Sequence, residues 1–210
     1  MAEYGFKELV MEIADSKKLF AENAFKKAFS NEDTREIYLS ACENIANVYL
    51  PYGFKYSKSR RHLRLIQKNN EFIYQISFWS GHYNIPGENV ALSVFANVLS
   101  HKYKNWKLEN KNKLNIINGI VNEYICGGNI GNLRKDHKYL KWNIGKAETR
   151  EKEIENIIDN INKLAIPFFQ HFNNADKLKD ELENNSIDYY FDRNEIGNFY
   201  KYIMNEKTNG

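Results

Sequence analysis

The spacing of apolar residues changes from a helical period to a strand period and back along this chain, which restricts its fold more than any other feature. Apolar residues alternate with other residues between 72 and 78, and again between 90 and 98. Successive side chains of a strand point to opposite faces of a sheet. The pattern therefore predicts strands at about 72–79 and 89–99, each with one apolar face.

A hairpin partner precedes these two strands. The segment 62–67 reads His-Leu-Arg-Leu-Ile-Gln, and Asn69 and Asn70 separate it from the next apolar run. Asparagine tolerates the positive φ that a tight turn needs, so the two runs are typical of a hairpin. Weaker strand patterns lie at 118–126 and 139–144, with a Gly- and Asn-rich loop predicted at 127–132 between them.

Amphipathic helices are predicted on both sides of this region, because apolar residues recur there every three or four positions. The predicted helices span about 5–29, 33–49, 148–164, 175–184 and 194–205. Pro51 and Gly53 are expected to end the second helix, and Pro167 to stop the third. Asn174 is expected to cap the fourth.

The order of helices, then strands, then helices indicates an α+β protein. We expect an antiparallel sheet of three to five strands at about 60–145. N-terminal helices at about 5–49 and C-terminal helices at about 148–205 flank this sheet. The 210 residues include 42% hydrophobic and 14% aromatic residues, which is too rich for a disordered chain. No repeat or linker divides the chain, so residues 1–210 are predicted to form one domain.

The two cysteines, Cys42 and Cys126, lie far apart, and neither has a second Cys or a His at the spacing of a zinc site. The first residues carry acidic side chains where a secretory signal needs basic ones before an apolar core. No window approaches the roughly 18 apolar residues of a membrane helix. We therefore expect reduced cysteines, a cytoplasmic location and no contact with a membrane.

Residue patterns that carry known catalytic chemistry are missing from the sequence. The five histidines form no metal-ligand pair, although His82 follows a predicted strand and is a candidate general base or a turn histidine. The Gly-rich segment 127–131 lacks the Lys-Ser or Lys-Thr of a phosphate loop. Glu71 and Glu88 are the only acidic residues between 51 and 100. We expect a protein without metal or cofactor that is not an enzyme.

The net charge of +3 conceals an uneven distribution of charged residues. The segment 51–68 carries six basic residues and no acidic one, and 101–113 carries five lysines against one glutamate. In contrast, 176–195 carries seven acidic residues against three basic ones. The basic segments indicate a docking surface for nucleic acid or for an acidic protein, or an edge strand whose cations discourage pairing.

Six residues are the candidates for partner binding. Strand alternation places Arg61 and Arg64 on opposite faces of the predicted sheet, so a single compact patch is not assured by the basic run alone. The candidates are Lys55, Lys58, Arg60, Arg61, Arg64 and His82.

Aromatic residues of the sheet have two interpretations. Phe72, Tyr74 and Phe78 are of the kind that stacks nucleic-acid bases, but on a sheet backed by helices they favour a place in the core. The segment 189–191 reads Tyr-Tyr-Phe beside acidic residues. It is either an exposed interaction segment or a clamp that holds the C-terminal helix to the body.

Three segments together resemble a known group of proteins. They are Tyr-Gly-Phe-Lys at 52–55, Ile-Tyr-Gln-Ile-Ser-Phe-Trp at 73–79, and Leu-Ala-Ile-Pro-Phe-Phe at 164–169, followed by Phe172. This order is similar to that of small, uncharacterised bacterial α+β domains, some of which look like immunity proteins of polymorphic toxin systems. The similarity covers about residues 20–185 and carries no catalytic motif.

The resemblance implies binding without catalysis, since an immunity protein occludes the active site or a neighbouring surface of its toxin. A charged, shape-matched face would speed such an association. Many nuclease toxins are basic, so a basic face fits such a target poorly unless the acidic segment 176–195 makes the contact.

The sequence thus leads to a non-enzymatic protein-binding inhibitor, most like a toxin-immunity protein, whose partner is another protein. One alternative is a nucleic-acid-binding protein that uses the basic segment 51–68. Another is a phage-encoded inhibitor of a bacterial defence protein, which sequence alone does not separate from an immunity protein.

Overall fold

The computed structural model describes residues 33–58, 63–69, 71–114 and 120–206. The helix predicted at 5–29 lies outside the described residues, and so do Arg60 and Arg61.

The described strands form one antiparallel sheet in the middle of the chain. Its strands are β1 (Lys55–Lys58), β2 (Leu63–Lys68), β3 (Ile73–Ser80), β4 (Ala91–Leu99), β5 (Tyr124–Asn129) and β6 (Trp142–Asn143). The first five lie in chain order across the sheet, and β6 pairs with β4 at the end that β5 leaves free. The predicted hairpin and third strand are confirmed, whereas β1 was not predicted because its four residues are too few to show a period.

Strand register separates the side chains of the sheet into two faces. Leu65 pairs with Ile76 and Ile76 with Ala96, and all three side chains are fully buried. We call this side the core face. Phe72, Tyr74 and Phe78 lie on it and are also buried, so the predicted core role of these aromatic residues is confirmed.

The opposite side is called the open face, because its side chains are mostly half-buried or exposed. Its described positions on β1 to β4 are Lys55, Ser57, Arg64, Ile66, Lys68, Ile73, Gln75, Ser77, Trp79, Ala91, Ser93, Phe95, Asn97 and Leu99. Three small residues of this set, Ala91, Ser77 and Ser93, are buried between their neighbours.

The described helices contribute their apolar sides to the core that the core face bounds. They are α1 (Thr34–Tyr49), α2 (His101–Glu109), α3 (Ala147–Asn160), α4 (Ile166–Gln170), α5 (Ala175–Glu183) and α6 (Arg193–Glu206). The class predicted from sequence is confirmed: it is α+β, with an antiparallel sheet in the middle of the chain and helices before and after it in sequence.

Local signals explain where several helices begin and end. The carboxylate of Asp33 accepts a hydrogen bond from the Arg35 amide at the start of α1, and the side chain of Asn174 accepts one from the Lys177 amide at the start of α5. Gly53 has a φ of 87° directly after the short 3-10 turn that follows α1, a left-handed conformation that favours glycine. The predicted bounds of α1, α5 and α6 agree with the structure within two residues.

The expectation that Pro167 stops its helix is wrong. The chain continues from α3 through the π-helical segment Ile161–Ala165 into α4, and Pro167 lies in the first turn of α4. Proline lacks an amide hydrogen and its ring clashes with the carbonyl four residues earlier in a regular α-helix. The wider π-helical turn changes that local register, so the helical backbone passes through the proline.

The segment 189–191 holds the C-terminal helix to the body, as the second of its two interpretations predicts. Tyr190 is buried, with its ring 4.7 Å from that of Phe168. Phe191 stacks on Phe199 of α6 at 5.6 Å between ring centroids. The segment therefore belongs to the packing of α4 and α6.

In the part of the chain that the structure describes, no helix has the length and apolar character to cross a membrane.

Candidate docking surface on the open face of the sheet

The basic residues predicted between 51 and 68 do not form one patch. Lys55 and Arg64 lie on the open face, while Lys58 lies on the opposite side of the edge strand β1. The ammonium group of Lys58 is 2.7 Å from the carboxylate of Glu43 on α1. The strand period therefore divides the described cations of this segment between two faces. Because β1 is at the edge of the described sheet, Lys55 and Lys58 also suit the role of discouraging edge pairing.

Three of the five lysines in the second basic segment form ion pairs within the chain. Lys102 lies 2.9 Å from Glu71, Lys104 lies 2.8 Å from Glu123, and Lys107 lies 2.5 Å from Glu195. Three lysines of α2 thus hold neighbouring elements together. This arrangement weakens the hypothesis of a continuous basic surface for nucleic acid.

We expect Glu123 to contribute to the acid sensitivity of folding. The hydrogen bond from Lys104 lowers the pKa of Glu123, and a carboxylate with a depressed pKa stabilises the fold above its unfolded pKa, near 4.5. This contribution is lost as the pH falls from about 5 through the folded pKa. Glu123→Gln should therefore show a smaller loss of unfolding free energy between about pH 6 and pH 3 than the parent chain in urea titrations. An unchanged pH dependence would contradict this role.

His82 lies exposed in the loop 81–89 that joins β3 to β4. Among the described residues, no side chain forms a hydrogen bond or an ion pair with its ring. A general base needs a partner that orients it. The structure therefore places His82 at the rim of the open face without the surroundings of a catalytic histidine.

Two asparagines fix the shape of the loop 81–89. Asn84 accepts a hydrogen bond from the Ala91 amide at 3.0 Å, and its own amide donates to Ser80 Oγ at 2.7 Å. Asn89 donates to the carbonyl of Tyr83 at 3.0 Å. These bonds satisfy the backbone amide at the start of β4 and a backbone carbonyl within the loop. The loop is therefore a defined support for the side chains that it exposes.

Exposed apolar side chains concentrate at this end of the sheet. Trp79, at the end of β3, is 53% exposed, and the loop that follows presents Tyr83 at 89% and Ile85 at 51% exposure. Single exposed apolar residues are common in soluble proteins, but a group of them on adjacent segments is not. This group marks the region as a candidate interaction surface.

Three aromatic residues form a connected group on the open face, which we call the aromatic platform: Trp79, Phe95 and Tyr139. The ring of Phe95 lies 5.1 Å from that of Trp79 and 6.3 Å from that of Tyr139. The hydroxyl of Tyr139, a residue that is 54% exposed, lies 3.1 Å from Ser93 Oγ. Because Ser93 pairs with Trp79 across β3 and β4, the three rings cover one continuous area.

The Gly- and Asn-rich segment places Tyr139 on this platform, and the prediction of a loop at 127–132 is wrong. Residues up to Asn129 belong to β5, and the 3-10 turn Ile130–Leu133 follows directly. The buried side chain of Asn129 accepts a hydrogen bond from the Leu140 amide at 2.8 Å and donates to the Leu140 carbonyl at 2.9 Å. The side chain of Asn129 thus pairs with both backbone groups of Leu140, the residue next to Tyr139, as a neighbouring strand would.

Gly131 permits the close approach that this arrangement needs. A Cβ atom built on Gly131 would lie 1.9 Å from the carbonyl oxygen of Lys138. Only glycine allows the two backbone segments to approach to this distance. The motif is therefore rigid, and its role is to anchor the segment that carries Tyr139.

Arg64 lies beside the aromatic platform. It pairs with Ser77 on β3, which makes it a diagonal neighbour of Trp79 on the same face. The side chain is half-buried, and its Nε is buried without a hydrogen-bond partner among the described residues. A cation thus occupies the strand position diagonal to the exposed tryptophan.

Chemistry other than binding finds little support in the described residues. No group of three or more His, Cys, Asp or Glu side chains there has the geometry of a metal site. Cys42 and Cys126 are both free and buried, and burial raises the pKa of each thiol. Neither cysteine therefore has the exposed thiolate of a nucleophile.

Part of this surface had a signal in the sequence. Trp79 and Phe95 occupy the out-of-phase positions of two alternating strands, so strand periodicity places them opposite the core residues. Tyr139 has no such signal, because its position depends on Asn129, ten residues earlier.

The chain matches no protein-family model, no curated protein and no solved structure. The resemblance to immunity proteins therefore stays a prediction from sequence.

Proposed function

We propose that this chain is a non-catalytic binding protein that docks a partner protein on its open face, in the manner of a toxin-immunity protein. The observation that carries the proposal is the group of exposed apolar side chains at one end of the sheet, on the aromatic platform and in the loop 81–89. A phage-encoded inhibitor of a bacterial defence protein would use the same surface in the same way.

The residue types and their rigid support favour a protein partner. Trp, Tyr and Arg are the residues that most often dominate the binding energy of protein interfaces. Trp79 and Phe95 are fixed by β3 and β4, and Tyr139 is fixed through Asn129. Side chains that are held in place before binding lose little conformational entropy in the complex.

Nucleic acid is the weaker candidate because of the charges. Phosphate binding depends on the number of Lys and Arg residues that contact the backbone together. The described cations of 51–68 divide between two faces, and three lysines of α2 are paired with carboxylates. The exposed aromatic side chains would serve a nucleic acid or a protein equally well, so the charges decide between the two kinds of partner.

Site-specific photocrosslinking in the native host tests the proposal. A photoreactive phenylalanine analogue at Tyr83 should crosslink a protein, whereas the same analogue at Leu108 on α2 should not. Leu108 is 50% exposed but lies on the helix α2 and not on the open face, so it controls for random capture. Trp79→Ala should reduce the yield from position 83 at least about tenfold, as expected for an interface hot spot.

Two results would contradict the proposal. One is an equal yield of the same proteins from positions 83 and 108, which would indicate non-specific contact. The other is a product from position 83 that nuclease treatment removes, because the partner would then be a nucleic acid.

A further inference from the structure

Resting on the proposed function, we infer that the partner protein presents an acidic surface, with a carboxylate that pairs with Arg64 beside an apolar side chain seated on the aromatic platform. Three observations on the open face lead to this partner chemistry.

The first observation is the sign of the charge. The described open-face positions of β1 to β4 include Lys55, Arg64 and Lys68, and none of these positions is acidic. The ion pairs among the described residues involve other cations, for example Lys58 beyond the edge strand and three lysines of α2. The positive charge of the open face is thus left for a partner to neutralise.

The second observation is the position of Arg64 within this face. Its Nε is buried and has no hydrogen-bond partner among the described residues. A planar guanidinium that is already held against a sheet offers parallel N–H donors, which suit a carboxylate better than a mobile lysine does. A partner carboxylate would bind the terminal nitrogens of the guanidinium, because the Nε is buried and closed to a docking protein.

The third observation is the neighbourhood of Trp79. Arg64 occupies the diagonal position to Trp79 across β2 and β3, and the ring of Phe95 lies 5.1 Å from the ring of Trp79. A partner that places only charge on this area would leave the exposed aromatic rings in water. The area therefore fits an acidic segment in which apolar residues alternate with carboxylates, because such a segment uses both features together.

A peptide of defined composition provides the probe. Fluorescein-labelled 12-residue peptides are compared by anisotropy: one of Glu and Asp alternating with Leu and Phe, and one with Lys in place of every acidic residue. A labelled 12-nucleotide oligo(dT) is the third probe. We expect the acidic peptide to bind at least about tenfold more tightly than the other two at low salt. Its affinity should fall as salt screens the exposed charges.

Matched variants assign the binding to Arg64. Arg64→Gln should weaken the acidic peptide about tenfold, as expected for a lost charge-assisted pair. Arg193→Gln removes the same charge from an exposed position on α6 and should leave the affinity unchanged. Lys55→Gln changes an exposed side chain of the open face, so its effect on binding is separate from folding defects.

The outcomes separate this inference from the proposed function. If position 83 crosslinks a protein and neither the acidic peptide nor Arg64→Gln lowers the yield, the inference is wrong while the docking function stands. If position 83 crosslinks no protein, the proposed function itself fails. Tighter binding of oligo(dT) than of the acidic peptide, or equal binding of both peptides, also overturns the inference.

Discussion

Replacing Gly127 by alanine is expected to lower the free energy of unfolding by about 3–4 kcal/mol, among the larger effects of a single substitution. Gly127 has a φ of 121°, and a Cβ built on it would lie 2.1 Å from the carbonyl oxygen of Ala96 on β4. The added Cβ would be attached to the backbone of β5, and the carbonyl oxygen belongs to the backbone of β4. The clash therefore cannot be relieved by a side-chain rotation. Urea denaturation measures the change through the midpoint and slope of the transition.

Two other glycines separate the contributions to this effect. Gly87 has a φ of 74° but no atom within 4 Å of a built Cβ, so Gly87→Ala should cost only the backbone strain of about 1–2 kcal/mol. Gly197 lies in α6 with an open surrounding, and Gly197→Ala should stabilise by about 0.5–1 kcal/mol. Equal costs at positions 127 and 87 would show that β4 and β5 do not approach so closely.

Glu195→Gln is expected to cost about 3 kcal/mol of unfolding free energy, because it leaves a buried charge without its partner. The side chain of Lys107 is only 5% exposed, and its ammonium group lies 2.5 Å from the Glu195 carboxylate. The same group lies 4.3 Å above the ring of Tyr103. The ammonium also donates a long hydrogen bond of 3.4 Å to the Tyr124 carbonyl. An aromatic face and one neutral carbonyl do not replace a carboxylate for a buried ammonium.

A surface pair and a double variant test this explanation. Lys58 and Glu43 are about half exposed, so Glu43→Gln should cost less than about 1 kcal/mol. Lys107→Met combined with Glu195→Gln should recover much of the loss, since removing both charges leaves no unpaired ion. A double variant as unstable as Glu195→Gln alone would show that packing, and not the ion pair, explains the loss.

The same ion pair changes how the charge segments of the sequence are understood. The basic segment 101–113 suggested a surface for an external polyanion, but Lys107 joins α2 to α6, 88 residues further along the chain. The acidic segment 176–195 is in part its internal counterpart. The cations on the open face take no part in this internal neutralisation, and they support the proposed acidic partner.

The fold class and the core residues could be predicted because they depend on local periods. Phe72, Tyr74 and Phe78 are two and four residues apart, so any sheet with one covered side buries them together. Asn174 caps α5 through a bond to an amide three residues away. Such short-range rules hold whatever the rest of the chain does.

The errors in prediction have physical causes of another kind. Pro167 does not stop its helix, because a π-helical turn before it changes the backbone register. The Gly- and Asn-rich segment is not a free loop, because Gly127 and Gly131 are required by close backbone contacts with distant residues. A glycine in a sequence indicates conformational freedom or a close approach, and only the neighbouring chain decides between them.

The sequence by itself determined most of the described helices, the main strands and the side chains that share each strand face, since these follow from periods of a few residues. The helix α2 was not predicted. The tertiary structure alone decided which cations remain unpaired and how the docking surface is completed. Tyr139 reaches Ser93 across 46 residues, and Lys107 reaches Glu195 across 88. Contacts over such separations depend on how whole elements pack, and no local pattern encodes them.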